Sequence, residues 1–263
     1  MRIGTVSLDQ DWENKESNKH NCENYIKKAT SQEVSLIIFP EMTLTGFSMN
    51  TKLIAEEINN SETILFFKNL AIRYSIAIVF GVVIKDEIMS SNRLVLISNW
   101  GEIQVNYSKI HPFSFSGKDK FFIKGNKLGQ CIFDKIRVGF TICYDLRFPE
   151  LYQGLSAIND IIITIANWPQ KRIEHWKTLL KARAIENQSI MVGVNRTGTD
   201  GNEIHYEKSS CIFNQNGKLL QPILCDDLLE IYDLEIDAVK LTRTTFPVKN
   251  DRRNEFYKTF YDA

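Results

Sequence analysis

Three side chains with the means to carry out acyl transfer stand at comparable places in this sequence: Glu41, Lys109 and Cys143. Each falls just past an apolar, β-rich run. Glu41 follows Leu36–Phe39 and Pro40, Lys109 follows the run ending at Ser108, and Cys143 follows Arg137–Ile142. In α/β sheets ligands gather at the carboxyl ends of strands, where loops hold side chains above a rigid floor. A thiolate attacks a carbonyl carbon, a carboxylate raised by burial can take the thiol proton, and an ammonium favours the thiolate and steadies an oxyanion.

The surroundings of Cys143 carry more information than its position. A cysteine at a strand end is ordinarily a small buried hydrophobe. Here it opens Tyr144-Asp145-Leu146-Arg147-Phe148-Pro149-Glu150, a polar and aromatic strand-to-helix turn. Such a turn exposes the sulfur near free backbone N–H groups, which favour a thiolate and can hold an oxyanion. Two residues compete as the base. Of the four histidines (His20, His111, His175, His205) only His111 lies beside Lys109, in Ser108-Lys109-Ile110-His111-Pro112. Glu41, between a buried strand and an apolar loop, is the other. Taken singly, each residue also has an ordinary structural role: His111 orienting neighbours, Glu41 as a helix cap or surface acid, Lys109 as a solvated loop residue, and Arg147 as an ion partner of Asp145 or Glu150.

The elements that must position these groups alternate along the chain. Patterning predicts a strand at Arg2–Leu8, a helix at Lys15–Ser31 capped by Asn14, and a strand at Val34–Phe39 covered on both faces. It predicts a helix at Glu62–Tyr74, a strand at Ile76–Ile84, and a hairpin of Arg93–Ser98 with Glu102–Ser108 around Asn99-Trp100-Gly101. Further strands are predicted at Ile136–Ile142, Asp160–Ile165 and Ile190–Val194, with a helix predicted over Ile173–Gln188. The last third reads as hairpin-rich: Lys208–Phe213 and Lys218–Leu224 are predicted to pair around Asn214-Gln215-Asn216-Gly217, with a strand near Leu228–Glu235. A mixed sheet, or two packed sheets, with helices outside is the expected class.

Composition excludes several functions. The 263 residues carry 32 basic and 32 acidic side chains, a formal net charge of zero. No strong field exists to attract nucleic acid or an anionic membrane. No apolar run reaches membrane-spanning length, and Met1–Leu8 runs directly into Asp9 and Asp11 without a signal-peptide core. Five scattered cysteines without a Cys-x-x-Cys pair indicate neither a disulfide framework nor a zinc cage. A cytoplasmic location is expected, with no metal.

Phe39-Pro40-Glu41-Met42, Tyr107-Ser108-Lys109-Ile110-His111 and Ile142-Cys143-Tyr144-Asp145-Leu146-Arg147-Phe148-Pro149-Glu150 together resemble, in order and spacing, the signature of the nitrilase superfamily of carbon–nitrogen hydrolases. Ala166-Asn167-Trp168-Pro169, His175-Trp176 with the following Ala182-Arg183-Ala184-Ile185-Glu186-Asn187-Gln188, and Asn195-Arg196-Thr197-Gly198 with Asp200-Gly201-Asn202 are similar to its omega-amidase branch. That resemblance implies a four-layer α-β-β-α sandwich of two mixed sheets flanked by helices, as one domain over 1–263 with about 237–263 as a C-terminal extension. It implies a cysteine-dependent hydrolase of small linear amides, chiefly the omega-amides of 2-oxo acids such as 2-oxoglutaramate and 2-oxosuccinamate. Other small amides and N-carbamoyl compounds are the alternative substrates, and a weakened binding homologue the alternative role. It assigns Cys143 as nucleophile, Glu41 as base and Lys109 as third catalytic residue. Tyr144, Trp168, Asn167 and Arg147 would contact substrate. No cofactor is implied, and the expected partner is a second copy in a homodimer.

One position departs from the family. Where a second glutamate often stands between the lysine and the cysteine, this chain has Lys118. A lysine cannot accept a hydrogen bond from Lys109, and their charges repel. Three outcomes stay open: Asp119 takes the role, Lys118 points outward, or activity is reduced or redirected.

Overall fold

The computed structural model describes residues 1–87, 89–113 and 121–260. The chain begins β1 (Arg2–Val6), α1 (Lys15–Thr30), β2 (Leu36–Ile38), α2 (Thr51–Ile54), α3 (Glu62–Tyr74), β3 (Ala77–Lys85), β4 (Ser90–Ile97) and β5 (Ile103–Ser108). Its middle runs β6 (Gly129–Phe133), β7 (Ile136–Ile142), α4 (Pro149–Ser156), β8 (Ile161–Ala166), α5 (Ile173–Asn187) and β9 (Ile190–Asn195). It closes with β10 (Gly198–Thr199), β11 (His205–Tyr206), β12 (Cys211–Phe213), β13 (Leu224–Asp226), β14 (Leu229–Asp233), α6 (Ile236–Thr245) and α7 (Asn254–Lys258).

Two mixed sheets pack face to face. One orders its seven strands β13-β14-β1-β2-β3-β4-β5, the other its five strands β12-β9-β8-β7-β6. β1, β2 and β3 run parallel, as do β7, β8 and β9, while β4, β5 and β6 are antiparallel additions. Side chains alternate faces along a strand, so β2 splits its residues between two layers. Leu36 and Ile38 join Val79, Leu94, Phe140, Ile142 and Ile163 between the sheets. Ile37 and the following Phe39 pack instead with Cys22, Ile26 and Phe67 beneath α1 and α3. On the far side, Leu155, Ile162, Trp176, Leu180 and Met191 join α4 and α5 to the second sheet. Each fully buried Ile or Leu stabilises by about 1.5–3 kcal/mol. The layers are therefore α-β-β-α, the expected class.

Helix ends follow their local signals. The Asn14 side chain accepts the Ser17 N–H at 3.1 Å, and Ser61 caps α3 through the Ile64 N–H. The late hairpin differs from expectation. The turn at Asn214–Gly217 forms, yet beyond it only Phe213 and Leu219 make a β-bridge. β12 pairs with β9, and β13 crosses to the other sheet to pair with β14. Sheet edges elsewhere in the fold outcompeted the local partner. Near the C-terminus, α6 is held by buried Val239 and by Arg243, which pairs with Asp160 at 2.8 Å.

Candidate active site

Three loops at the carboxyl ends of β2, β5 and β7 build the site. Glu41 leaves β2 in a turn pressed onto β3: the Thr43 N–H donates to Gly81 O at 2.9 Å, and the Gly81 N–H donates to Thr43 Oγ1 at 2.9 Å. A Cβ at Gly81 would stand 2.3 Å from Met42 N, so only glycine lets the Glu41 turn approach this closely. Lys109 follows β5, its N–H donating to Asn92 O at 2.9 Å. Cys143 ends β7 with φ +48°, a left-handed conformation that a cysteine adopts only under constraint from its surroundings. It opens the 3-10 turn Cys143–Arg147.

Asp145 supplies that constraint. Its fully buried carboxylate accepts the Ile142 N–H at 3.0 Å, the Tyr107 hydroxyl at 2.8 Å and the His111 N–H at 2.9 Å, with His111 Nδ1 a further 2.8 Å contact. One side chain thus ties the cysteine turn to the strand and loop that carry Lys109. His111, the histidine candidate for base, is committed to this role and stacks on Phe148 with ring centroids 3.7 Å apart. Asp145 spends its oxygens here and is not the ion partner of Arg147.

Glu41 and Lys109 form a buried ion pair, Nζ to Oε1 at 2.8 Å, with the two residues 0% and 3% exposed. The same oxygen accepts Asn92 Nδ2 at 2.7 Å, and Oε2 accepts the Asn167 N–H at 2.9 Å. Asn167 also donates its Nδ2 to Glu41 O at 2.9 Å, and its carbonyl lies 3.9 Å from Cys143 Sγ. Burial pushes the Cys143 thiol up to about 12, reinforced by the negative charge of Glu41 and opposed by the Lys109 ammonium. For Lys109 burial works against the charged form, but the neighbouring acidic groups, Glu41 first, outweigh it and hold the ammonium above its usual range. The resting site is therefore a thiol beside a charged lysine.

A pocket opens over the sulfur. Cys143, Lys109, Tyr144, Asn167, Trp168 and Arg147 all border it, while Glu41 lies behind its wall. Trp168 is fixed at both ends, its N–H donating to Asn195 Oδ1 at 2.7 Å and its Nε1 to Arg172 O at 2.8 Å. Arg147 spreads over its ring at 4.9 Å. Sequence reading did not anticipate Phe47, Arg172 or Tyr206 on the wall, nor Asn92 on Glu41. Arg172 had a weak local signal, lying just past Trp168-Pro169; the others had none. Lys118 and Asp119 lie outside the described residues. Among the described residues no group of three or more His, Cys, Asp or Glu could hold a metal ion, and no helix is long and apolar enough to cross a membrane.

Comparison with known proteins places the chain in a family. The carbon-nitrogen hydrolase family model matches residues 2–243. The omega-amidase YafV of Escherichia coli (strain K12) is 30% identical over 241 residues, 91% of this chain and 92% of that protein. A 2-oxoglutaramate amidase of Paenarthrobacter nicotinovorans is 39% identical over 172 residues, 63% of this chain and 58% of that protein. Among solved structures, XC1258 from Xanthomonas campestris, a CN-hydrolase superfamily protein with an arsenic adduct in its active site, superposes with a TM-score of 0.89. It is 29% identical, covering 96% of this chain and 97% of its own.

Proposed function

The chain belongs to the carbon-nitrogen hydrolase family, in its omega-amidase-like branch, and from that premise we propose that it hydrolyses the terminal amide of a short 2-oxo acid through a Cys143 thioester. The observation that carries this reading is the buried Glu41–Lys109 pair at 2.8 Å beside a half-buried cysteine that faces a pocket.

Because the resting sulfur is a thiol, its proton must leave as the carbon–sulfur bond forms. Glu41 accepts that proton, and Cys143 Sγ attacks the amide carbon. The tetrahedral oxyanion is held by Lys109 Nζ and the Tyr144 N–H; stabilisation of this kind is worth about 3–4 kcal/mol per donor in acyl-transfer sites. Glu41 then returns its proton to the nitrogen, and ammonia leaves with the thioester formed. A water molecule gives a proton to Glu41 as it attacks the thioester; Glu41 passes that proton to the departing Cys143 sulfur, restoring the thiol, and the product acid leaves as its carboxylate, its proton lost to solvent.

The pocket wall supports an acidic substrate. Besides Lys109 it carries two further cations, Arg147 and Arg172, at its border with Trp168 and Tyr206. A carboxylate at the far end of a linear amide would find charge-assisted partners there, while its amide reached the sulfur. Asn167 and Trp168 then form the floor and side of the pocket.

The rest of the proposal concerns context. Residues from about 237 form a C-terminal extension of the single domain, and the exposed Leu241 and Phe246 of α6 and its end contribute to a homodimer interface. Five unpaired thiols suit a reducing, cytoplasmic setting.

The test is incubation with 2-oxoglutaramate and 2-oxosuccinamate, reading ammonia release and intact mass, beside neutral amides and N-carbamoyl amino acids. Turnover of the 2-oxo-acid amides, a transient acyl adduct, and loss of both in Cys143→Ala are expected. Full turnover by Cys143→Ala would refute the mechanism, and preference for carbamoyl compounds would refute the substrate.

A further inference from the structure

Glu41 is gripped from β4 by a residue outside the three-residue machinery. Asn92 is buried, 3% exposed. Its Nδ2 donates to Glu41 Oε1 at 2.7 Å, the oxygen that also takes Lys109 Nζ at 2.8 Å. Its backbone carbonyl accepts the Lys109 N–H at 2.9 Å. One residue therefore holds the side chain of the base and the main chain of its cationic partner.

The other half of the Asn92 amide shows what fixes its orientation. Asn92 Oδ1 is buried and has no hydrogen-bond partner among the described residues. Leaving a buried carbonyl unpaired is unfavourable. An ionised carboxylate only accepts hydrogen bonds, so the amide has to turn its nitrogen to Glu41 and abandon its oxygen. The contact with Glu41 is what this side chain is oriented for.

We propose that Asn92 is a positioning residue that holds the Glu41 carboxylate in register with Lys109 and Cys143. This rests on the reading of Glu41 as the base. The charged and titratable groups facing Glu41 are Lys109 from the end of β5 and Cys143 from the end of β7. The main-chain N–H of Asn167 after β8 donates to its other carboxylate oxygen, whereas Gln10 Nε2 after β1 donates to its main-chain carbonyl. Asn92 is thus the one neutral side chain donating to the carboxylate itself among the described residues. It stabilises the charged form without adding the second positive charge that would repel Lys109. A donor to the ionised form lowers its proton affinity, so removing it makes Glu41 easier to protonate at acid pH and frees its carboxylate to turn away from Lys109 and Cys143 at neutral pH.

The experiment measures the pH dependence of kcat/KM, with kcat and KM separately, for Asn92→Leu and the nearly isosteric Asn92→Asp, with Glu41→Gln as reference. In Asn92→Leu the acid limb moves up by about one pH unit, kcat at neutral pH falls about tenfold to hundredfold, and KM changes little. In Asn92→Asp, a second carboxylate against Glu41 moves the limb further up. Should Asn92→Leu fail to fold, Asn92→Asp carries the test by itself. An acid limb that disappears in Glu41→Gln yet stays put in the Asn92 variants overturns the proposal and leaves the base intact. Full activity with an unchanged limb in Glu41→Gln overturns the reading of Glu41 and this proposal with it.

Discussion

Asp145 and His111 are joined twice: the carboxylate Oδ1 accepts the His111 backbone N–H at 2.9 Å and lies 2.8 Å from the ring Nδ1. A ring clamped in this way, and stacked on Phe148, orients its loop, and under the proposed mechanism Glu41, not His111, takes the sulfur's proton. His111→Ala is therefore expected to lower kcat by about tenfold, whereas Glu41→Gln lowers it by about 10²–10⁴. Steady-state kinetics on both variants decide it, and equal losses would reinstate the histidine.

Asp145→Asn replaces one acceptor oxygen with an NH₂ group among the Ile142 N–H, the Tyr107 hydroxyl and the His111 N–H. At least one buried donor loses its partner, which costs about 1–3 kcal/mol. For a chain of this size each kcal/mol lowers Tm by about 2–4 °C. A melting curve indistinguishable from wild type would contradict the clamp. Tyr107→Phe, which removes only the 2.8 Å hydroxyl contact, should lower Tm by less.

The Cys143 thiol, pushed up to about 12 by burial and by Glu41, sets a pH dependence with a definite sign. At neutral pH the thiolate is scarce, so alkylation of the resting enzyme by iodoacetamide should quicken about tenfold per pH unit from pH 7 to 10. Lys109→Met removes the larger of the effects of opposite sign and slows alkylation at every pH in that window. A rate already level at pH 7 would show a preformed thiolate. The stability linkage runs the same way. A thiol held above its ordinary value of 9.0 contributes stability below that pH, and the contribution is lost as pH climbs toward 12.

Arg172→Leu tests the cationic side of the pocket. A charge-assisted bond to a substrate carboxylate contributes about 1.5–3 kcal/mol. KM for 2-oxo-acid amides should rise about tenfold to hundredfold, with kcat little changed. Neutral amides of similar length should be insensitive to the substitution, and an equal KM rise for them would remove Arg172 from carboxylate recognition.

Much of the frame was legible because its signals are local. Asn14 and Ser61 cap helices through donors three residues away, and β2 declares its two buried faces within a handful of residues. The hairpin between β4 and β5 announced itself through Asn99-Trp100-Gly101. The hairpin expected after Phe213 is cut short just past its turn, because its second arm had a non-local competitor, β14, in the other sheet.

The local order of residues determined where Glu41, Lys109 and Cys143 fall relative to their strands, and the dense run from Ile142 to Glu150 set the character of the cysteine turn. Tertiary structure decided what each side chain touches. Asn92 meets Glu41 across 51 positions, Asn167 meets it across 126, and Asp145 reaches Tyr107 across 38. Such contacts leave no periodicity in the chain, since each partner sits on its own strand for its own local reasons. They arise only when β2, β4, β5, β7 and β8 bring their ends to one side of the sandwich, where burial makes every unpaired donor or charge expensive enough to select its partner.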